Sequence, residues 1–245
     1  DNWQFMSNIP VGQFYHINID NEMPYNIYGG LQDNGTWVGP NTVWKASGLR
    51  SAEWQEVFFG DGFDCMPRKG NTRYLYAMSQ GGNLGYVDRV TGKTQNIKPV
   101  NPGKEALRFN WNSALAQDPF NDCGIYYGSQ YVHYSTDCGQ TWNIISGDLT
   151  TNDPKKQNQN ESGGLTIDAT GAENHCTIIS ISPSGVDKNV IWVGTDDGNV
   201  QLTKDGGKTW TNLSQKISRF PLNAWIPQIE TSIKNPNEAW VVVNN

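Results

Sequence analysis

The chain has 245 residues with a formal net charge of −6, and its pI is near 5.0. Its ten Trp, ten Tyr and 26 Gly fit a protein of many short strands joined by turns. No basic stripe is present, which argues against a nucleic-acid partner. No apolar run approaches the roughly 18 residues that a membrane span requires, so no membrane-spanning segment is expected.

A strand–turn–strand pattern recurs along the chain. Each copy has an alternating strand, a turn rich in Pro, Asn or Asp, and a second strand rich in Tyr, Trp or Val, which usually leads into a hairpin. The chain itself opens with Asn-Trp-Gln-Phe at residues 2–5, which is typical of the last strand of a preceding unit. The copies begin at His16–Gln32, Tyr74–Asn83, Ser113–Gln130, Ile178–Gly198 and Gln228–Val243.

An octapeptide of the form S/T-x-D-x-G-x-T-W occurs twice. The first octapeptide is Ser135–Trp142 and the second is Thr203–Trp210. The Asp can accept hydrogen bonds from backbone N–H groups one or two residues on, and the Gly permits a backbone conformation that a Cβ would oppose. The Trp is expected to be buried between units. We therefore expect structural roles for its members, namely Ser135, Asp137, Gly139, Thr141, Trp142, Thr203, Asp205, Gly207, Thr209 and Trp210.

A third copy of the octapeptide is eroded at Asp88–Gln95, where Gln95 replaces the Trp. Corresponding strands are 48 residues apart between Tyr28 and Tyr76, and 49 apart between Val193 and Val242. Repeats of roughly 40–50 residues with four strands each are typical of β-propeller blades.

We predict an all-β propeller in one domain, residues 1–245. Its units span about 12–58, 59–98, 106–146, 173–214 and 225–245, the last one incomplete. A polar insert at 146–172 separates the third unit from the fourth. About five four-stranded blades then form a segment of a larger propeller; the alternative is a five-bladed ring in which the two ends of the chain complete each other.

Four cysteines are present. Cys123 and Cys138 flank a predicted hairpin of Ile125–Gln130 and Tyr131–Thr136, which would place them opposite each other at a spacing close to that of a disulfide. We predict this bridge, with two free thiols as the alternative. Cys65 and Cys176 fall in different units and are not paired. A disulfide indicates an oxidising, extracytoplasmic compartment.

Both octapeptides resemble the Asp-box, or BNR repeat, of β-propellers. The wider sequence is similar to the sortilin-like BNR-repeat proteins that bacteria secrete, a family often labelled glycosyl hydrolase. The residues that carry this resemblance are 12–16, 28–36, 108–112, 173–175, 192–199 and both octapeptides. It implies a secreted, periplasmic or cell-surface propeller whose channel binds polypeptide, but a shared fold does not establish catalysis.

Ligand sites of propellers usually lie on the face opposite the octapeptide turns. The amides, carboxylates and aromatic rings expected there suit a glycan or a polar peptide. The predicted binding residues are Gln32, Asp33, Asn34, Gln80, Arg108, Asn110, Trp111, Asn112, Gln130, Glu173, His175, Asp196, Asp197, Arg219 and Trp225. For each of them, capping of a strand end is the alternative role.

Two enzyme classes can be compared with these residues. A sialidase needs three converging arginines, and only Arg108 and Arg219 lie near the starts of inner strands, which argues against that activity. A glycosidase needs two carboxylates about 5–9.5 Å apart. The weak catalytic candidates are Asp61, Glu173 and Asp197; Asp33, Asp64 and Asp196 are further acids on the same face.

No cofactor is predicted. Asp196-Asp197-Gly198-Asn199 offers oxygen ligands suited to Ca²⁺, but a turn is the favoured interpretation. The three histidines have no zinc-like spacing, although His16 and His175 both begin inner strands and could approach each other in the channel.

The leading functional hypothesis is a non-catalytic extracellular binding or scaffold propeller that presents its channel face to a polypeptide or glycan. A glycoside hydrolase is the first alternative. A structural protein that self-associates through open blade edges is the second.

Overall fold

In the computed structural model, the protein is an all-β propeller, as predicted. The structure describes residues 12–101, 103, 105–157 and 174–244. Within this part of the chain no α-helix occurs; single 3₁₀ turns lie at Ser51–Glu53, Gln80–Gly82, Pro154–Lys156 and Ser214–Lys216. No helix of the described residues has the length and apolar character needed to cross a membrane.

The described residues form eighteen strands, which build four blades of four strands and one two-stranded unit, and all neighbouring strands are antiparallel. Blade 1 contains β1 (Phe14–Ile19), β2 (Asn26–Leu31), β3 (Thr36–Pro40) and β4 (Gln55–Phe58). Blade 2 contains β5 (Gly62–Pro67), β6 (Tyr74–Ser79), β7 (Asn83–Asp88) and β8 (Lys93–Asn96). Blade 3 contains β9 (Leu115–Gln117), β10 (Ile125–Gly128), β11 (Val132–Ser135) and β12 (Asn143–Ile144). Blade 4 contains β13 (Ile178–Pro183), β14 (Ile191–Thr195), β15 (Val200–Thr203) and β16 (Thr211–Asn212). Unit 5 contains β17 (Trp225–Thr231) and β18 (Ala239–Asn244).

Each sheet follows the order of its strands in the chain. The first strand of every unit, or the residue just before it, contributes to one central cavity. The first strands are therefore the inner strands, and later strands of each blade lie progressively further out. Residues 2–5 and most of the polar insert, from residue 158 to 172, lie outside the described residues.

The hydrophobic core lies between the blades. Tyr28 of blade 1 packs with Leu75 of blade 2, and Tyr126 of blade 3 packs with Ile178 of blade 4. Ile226 of unit 5 packs against Trp192 of blade 4. Burying each such side chain contributes roughly 1.5–3 kcal/mol, so the interfaces between blades supply the main stabilisation of the fold.

The two octapeptides make matching hydrogen-bond networks. In the first, Asp137 accepts hydrogen bonds from the N–H of Thr141 (2.9 Å) and from its hydroxyl (2.7 Å). In the second, Asp205 accepts the same pair from Thr209 at 2.9 and 2.6 Å. The backbone donor is thus four residues beyond the Asp, rather than one or two as the sequence suggested. Two consecutive residues at positive φ in each loop curl the chain back far enough for this contact.

Each octapeptide also joins its blade to the preceding blade. Trp142 donates its indole N–H to the carbonyl of Ile97 (2.8 Å), and Trp210 donates to the carbonyl of Ile145 (3.0 Å). Two constraints favour Gly at these positions, a backbone φ in the left-handed region and a close contact with the preceding blade. Gly139 has φ 84°, and a Cβ there would lie 2.5 Å from the Ile97 side chain.

The eroded copy in blade 2 keeps its turn by other contacts. Asp88 accepts two hydrogen bonds from the Arg73 guanidinium at 2.9 and 2.6 Å, and one from the N–H of Val90 at 3.0 Å. Gln95, in the Trp position, donates to the side chain of Gln140 in the next blade (2.7 Å). A polar contact between side chains here replaces the contact that a partly buried Trp ring makes in the other two copies.

The predicted disulfide is confirmed. Cys123 and Cys138 are bonded across the β10–β11 hairpin, with their Cα atoms 4.4 Å apart. Cys65 and Cys176 are free and buried. Burial raises the pKa of both thiols, that of Cys176 to about 11, which disfavours the reactive thiolate form.

Candidate functional site

The inner strands surround a central cavity of 360 Å³, here called the channel cavity. Its lining combines aliphatic side chains with several polar ones. All five units contribute. The lining residues are Tyr15, His16, Ile17, Asn18, Asp64, Met66, Ala114, Leu115, Ile179, Ser180, Ile181, Pro227, Gln228 and Ile229.

A second space of 410 Å³, here called the vestibule, adjoins the channel cavity. His16 borders both spaces. Three of the predicted binding residues, Asn110, Asn112 and Trp225, line the vestibule. The vestibule is therefore the place where the structure brings predicted ligand-binding residues together around the ring axis.

His16 connects three blades at the boundary between the two spaces. Its Nδ1 lies 3.2 Å from Oδ1 of Asp64 in blade 2, and its Nε2 lies 2.9 Å from Nδ2 of Asn112, just before blade 3. Burial alone would lower the pKa of His16, but the hydrogen bond and the negative charge of Asp64 raise it above its ordinary value. Asn18 also donates to Oδ1 of Asp64, at 3.4 Å.

Several predicted binding residues instead clamp the start of their own blade. The side-chain oxygen of Gln80 accepts from the N–H of Asp61 (2.9 Å), and that of Gln130 accepts from the N–H of Arg108 (2.8 Å). In blade 4, Asp196 accepts from the N–H of Thr177 at 2.9 Å. The three blades thus use a residue one or two positions after the second strand in the same way, to fix the chain that leads into the first strand.

The acids considered for catalysis are occupied by hydrogen bonds. Asp197 accepts from the N–H and the hydroxyl of Thr151, both at 2.7 Å, and from the hydroxyl of Thr195 at 2.5 Å. Asp61 accepts from the N–H of Asp33 at 2.8 Å. Both acids are buried, so these carboxylates stabilise loops. Glu173 lies outside the described residues.

Asp196 and Asn110 join blade 3 to blade 4. The Asn110 amide donates to Oδ2 of Asp196 (3.1 Å), which also accepts from the hydroxyl of Thr177 (2.5 Å). Burial raises the pKa of the Asp196 carboxyl, while the nearby His175, with Nδ1 3.7 Å away, counteracts this effect. Within the described residues, no group of three or more His, Cys, Asp or Glu side chains is placed to hold a metal ion.

Arg108 and His175 border a separate small pocket of 300 Å³. The Arg108 guanidinium donates to Asp148 (2.6 Å) and to the carbonyl of Cys176 (3.1 Å). The positive charge of Arg108 is therefore neutralised within the protein by Asp148 of the insert, and its guanidinium also contacts the chain that leads into blade 4. The His175 ring lies 6.5 Å from the Trp225 ring, edge to face.

The remaining predicted residues lie apart from the vestibule. Gln32, Asp33 and Asn34 border an outer groove of 780 Å³ with Trp37 and Trp54. Trp111 packs against the core between blades 2 and 3. Arg219 lies exposed in a turn with φ 58°.

The sequence-based prediction placed His16 at the start of an inner strand without including it among the binding residues, and Asn18, Ser180 and Gln228 were not selected either. The sequence feature that could have identified His16 and Asn18 is the segment His16-Ile17-Asn18 on an inner strand, where two polar side chains flank an exposed Ile. Only the ring arrangement shows that these side chains face the same cavity as β13 and β17.

No protein-family model matches the chain, and no curated relative matches it either. Among solved structures, the GH74 xyloglucanase from Xanthomonas campestris matches with a TM-score of 0.46 and 14% identity. The match covers 75% of this chain and 26% of the xyloglucanase chain, so this chain spans about a quarter of that protein. A match of this strength gives no information about activity.

Proposed function

We propose that this propeller is a non-catalytic extracellular binding module whose channel cavity receives a segment of a polypeptide. The observation that carries the proposal is the lining of the channel cavity. Aliphatic side chains such as Met66, Ile181 and Ile229 form its walls, and polar groups from separate units, including Asp64 and Gln228, converge among them. The exposed lining of this cavity is more polar than apolar, and convergent polar groups in a concave site are what fixes the orientation of a ligand.

The occupied acids favour binding over hydrolysis. A glycosidase needs one carboxyl group free to protonate the leaving oxygen and another free to act as base or nucleophile. Asp61 and Asp197 are instead buried acceptors of hydrogen bonds from the protein itself. The Cys123–Cys138 disulfide supports an oxidising, extracytoplasmic location.

The proposal is tested with the immobilised chain, a synthetic peptide library and a panel of soluble polysaccharides. We expect peptides to be retained and no reducing sugar to be released. Ile17→Asn should strongly reduce retention because Ile17 lines the channel cavity and, at 60% exposure, tolerates a polar side chain. Val90→Asn is the matched control, since Val90 is 72% exposed in a turn of blade 2.

Peptide retention that is unchanged by Ile17→Asn would exclude the channel cavity as the binding site. Retention of polysaccharides alone would change the ligand class to glycan. Release of sugar that is lost in Asp61→Asn or Asp197→Asn would make the protein a glycoside hydrolase.

Self-association is a second candidate role, and it rests on a different observation. Ile19 of β1 is 59% exposed, and Trp240 of β18 is 63% exposed, although residues on blade faces are normally covered by a neighbouring blade. Exposed apolar surface of this kind favours contact with a second copy. We expect light scattering to show a concentration-dependent increase in mass that Trp240→Asp removes; a monomer at every concentration would refute this role.

A further inference from the structure

We propose that the polar end of the channel cavity receives a lysine side chain of the bound polypeptide, and that protonation of His16 expels it. This inference rests on the proposed polypeptide-binding function and specifies what that site recognises. Three features of the cavity support it. Among the described residues, a carboxylate lies there without a Lys or Arg beside it, only one oxygen of that carboxylate is left without a contact, and a neighbouring histidine can supply a positive charge in place of the ligand.

Asp64 is the only carboxylate among the described residues that line the channel cavity, and no Lys or Arg accompanies it there. Its side chain is 14% exposed, so it is reachable from the cavity but poorly hydrated. The vestibule contributes no charged side chain from the described residues either, apart from His16 when protonated. A cation entering this region would therefore meet a negative charge in partly desolvated surroundings, where ion pairing is stronger than in water.

The contacts of Asp64 favour lysine over arginine. Both His16 and Asn18 contact the same oxygen, Oδ1, and within the described residues Oδ2 has no such contact. An arginine fork binds best to two free carboxylate oxygens, whereas an ammonium group acts as a point charge and needs only one. The aliphatic walls at Ile17 and Met66 also suit the methylene stem of lysine.

His16 is placed to compete for the same carboxylate. With a neutral ring, Nδ1–H donates to Asp64 and Nε2 accepts from the Asn112 amide, which agrees with the 2.9 Å contact between Nε2 and Nδ2. Protonation adds a hydrogen to Nε2, which then faces another donor. Rotation of the amide would resolve this conflict by presenting Oδ1 of Asn112, a buried oxygen that lacks a hydrogen-bond partner among the described residues.

The two charge states of His16 therefore present different sites. The neutral ring leaves the charge of Asp64 available for a lysine, and the protonated ring neutralises it. The groups facing His16 from the other elements are Asp64 on β5, Asn112 before β9, and Gln228 on β17. Among the described residues that line the two spaces, Asp64 is the only ionisable group from another element, and Tyr15 is the ionisable neighbour on β1 itself. By linkage, a lysine ligand must lower the pKa of His16, and its affinity must rise with pH.

The test uses two short peptides that differ at one position, acetyl-Ala-Ala-Lys-Ala-Ala-amide and its norleucine counterpart. Nuclear magnetic resonance of the histidine rings follows both binding and the pKa of His16. We expect the lysine peptide to bind about tenfold more weakly near pH 5.5 than near pH 8 and to lower the pKa of His16. The norleucine peptide should do neither. His133 serves as an internal control, because burial already lowers its pKa to about 4.

Two variants separate the parts of the proposal. Asp64→Asn should remove the preference for lysine while leaving norleucine binding intact. His16→Gln should keep the preference and remove its pH dependence. Equal binding of the two peptides, sensitive to Ile17→Asn, would refute lysine recognition and leave the binding function standing. A pH dependence that persists in His16→Gln would refute the competition, and binding of neither peptide would count against both proposals.

Discussion

The octapeptide turns and the channel both contain dense polar networks, but the two networks differ in where their members come from. In the first octapeptide, the turn itself is held by the Ser135 and Asp137 side chains, whose hydrogen-bonding partners lie among residues 135–141 and are at most four residues away. The channel network joins His16 to Asn112, 96 residues away, and within the described part of the chain the Asn112 oxygen has no hydrogen-bond partner. A local, fully satisfied network stabilises a turn. A network assembled from separate blades, with an unused hydrogen-bonding group, is suited to receive a ligand.

The largest effect that tests this comparison is the loss of an octapeptide Trp. Trp142→Ala should lower the free energy of unfolding by about 3 kcal/mol, because it removes a partly buried ring that packs between blades 2 and 3. Trp142→Phe should cost about 1 kcal/mol, since it mainly removes the hydrogen bond to Ile97. Urea denaturation followed by circular dichroism measures both values.

Trp44→Ala is the matched control, because Trp44 is 96% exposed. Its effect should stay within about 0.5 kcal/mol. If Trp142→Ala and Trp44→Ala had the same unfolding midpoint, the octapeptide would not be the contact that joins the blades.

A smaller effect is the loss of folding stability at acidic pH. Hydrogen bonds from Thr209 and Thr203 lower the pKa of the Asp205 carboxyl to about 2. Burial alone would raise the pKa of Asp137, but the hydrogen bonds from Thr141 and Ser135 lower it below its ordinary value. An unfolded Asp titrates near 3.9. The stability that these carboxylates supply is therefore fully present above about pH 4 and is lost as the pH falls toward about 2.

The double variant Asp137→Asn/Asp205→Asn should accordingly be less stable than the parent at neutral pH and should lose less stability between about pH 4 and about pH 2. Urea midpoints across this range provide the measurement. Asp122→Asn is the control, because Asp122 is 61% exposed and makes only a 3.9 Å ion pair with Lys69. Parallel pH curves for parent and double variant would show that the turns do not depend on ionised carboxylates.

The sequence by itself determined the repeat, the all-β class, both turns and the disulfide. These features depend on residues close together in the chain: the two octapeptides each span eight positions, and Cys123 and Cys138 are separated by 15 in sequence. Local backbone preference and strand alternation are sufficient to specify such features, so their signals survive in a single sequence.

Only the tertiary structure decided what the polar residues near the inner strands do. Gln80, Gln130 and Asp196 resemble ligand groups in the sequence, yet each accepts a hydrogen bond from the backbone at the start of its own blade. His16, by contrast, lies at the channel beside Asp64 and Asn112. The distances between these groups are set by how the blades pack into a ring, and no local pattern encodes that packing.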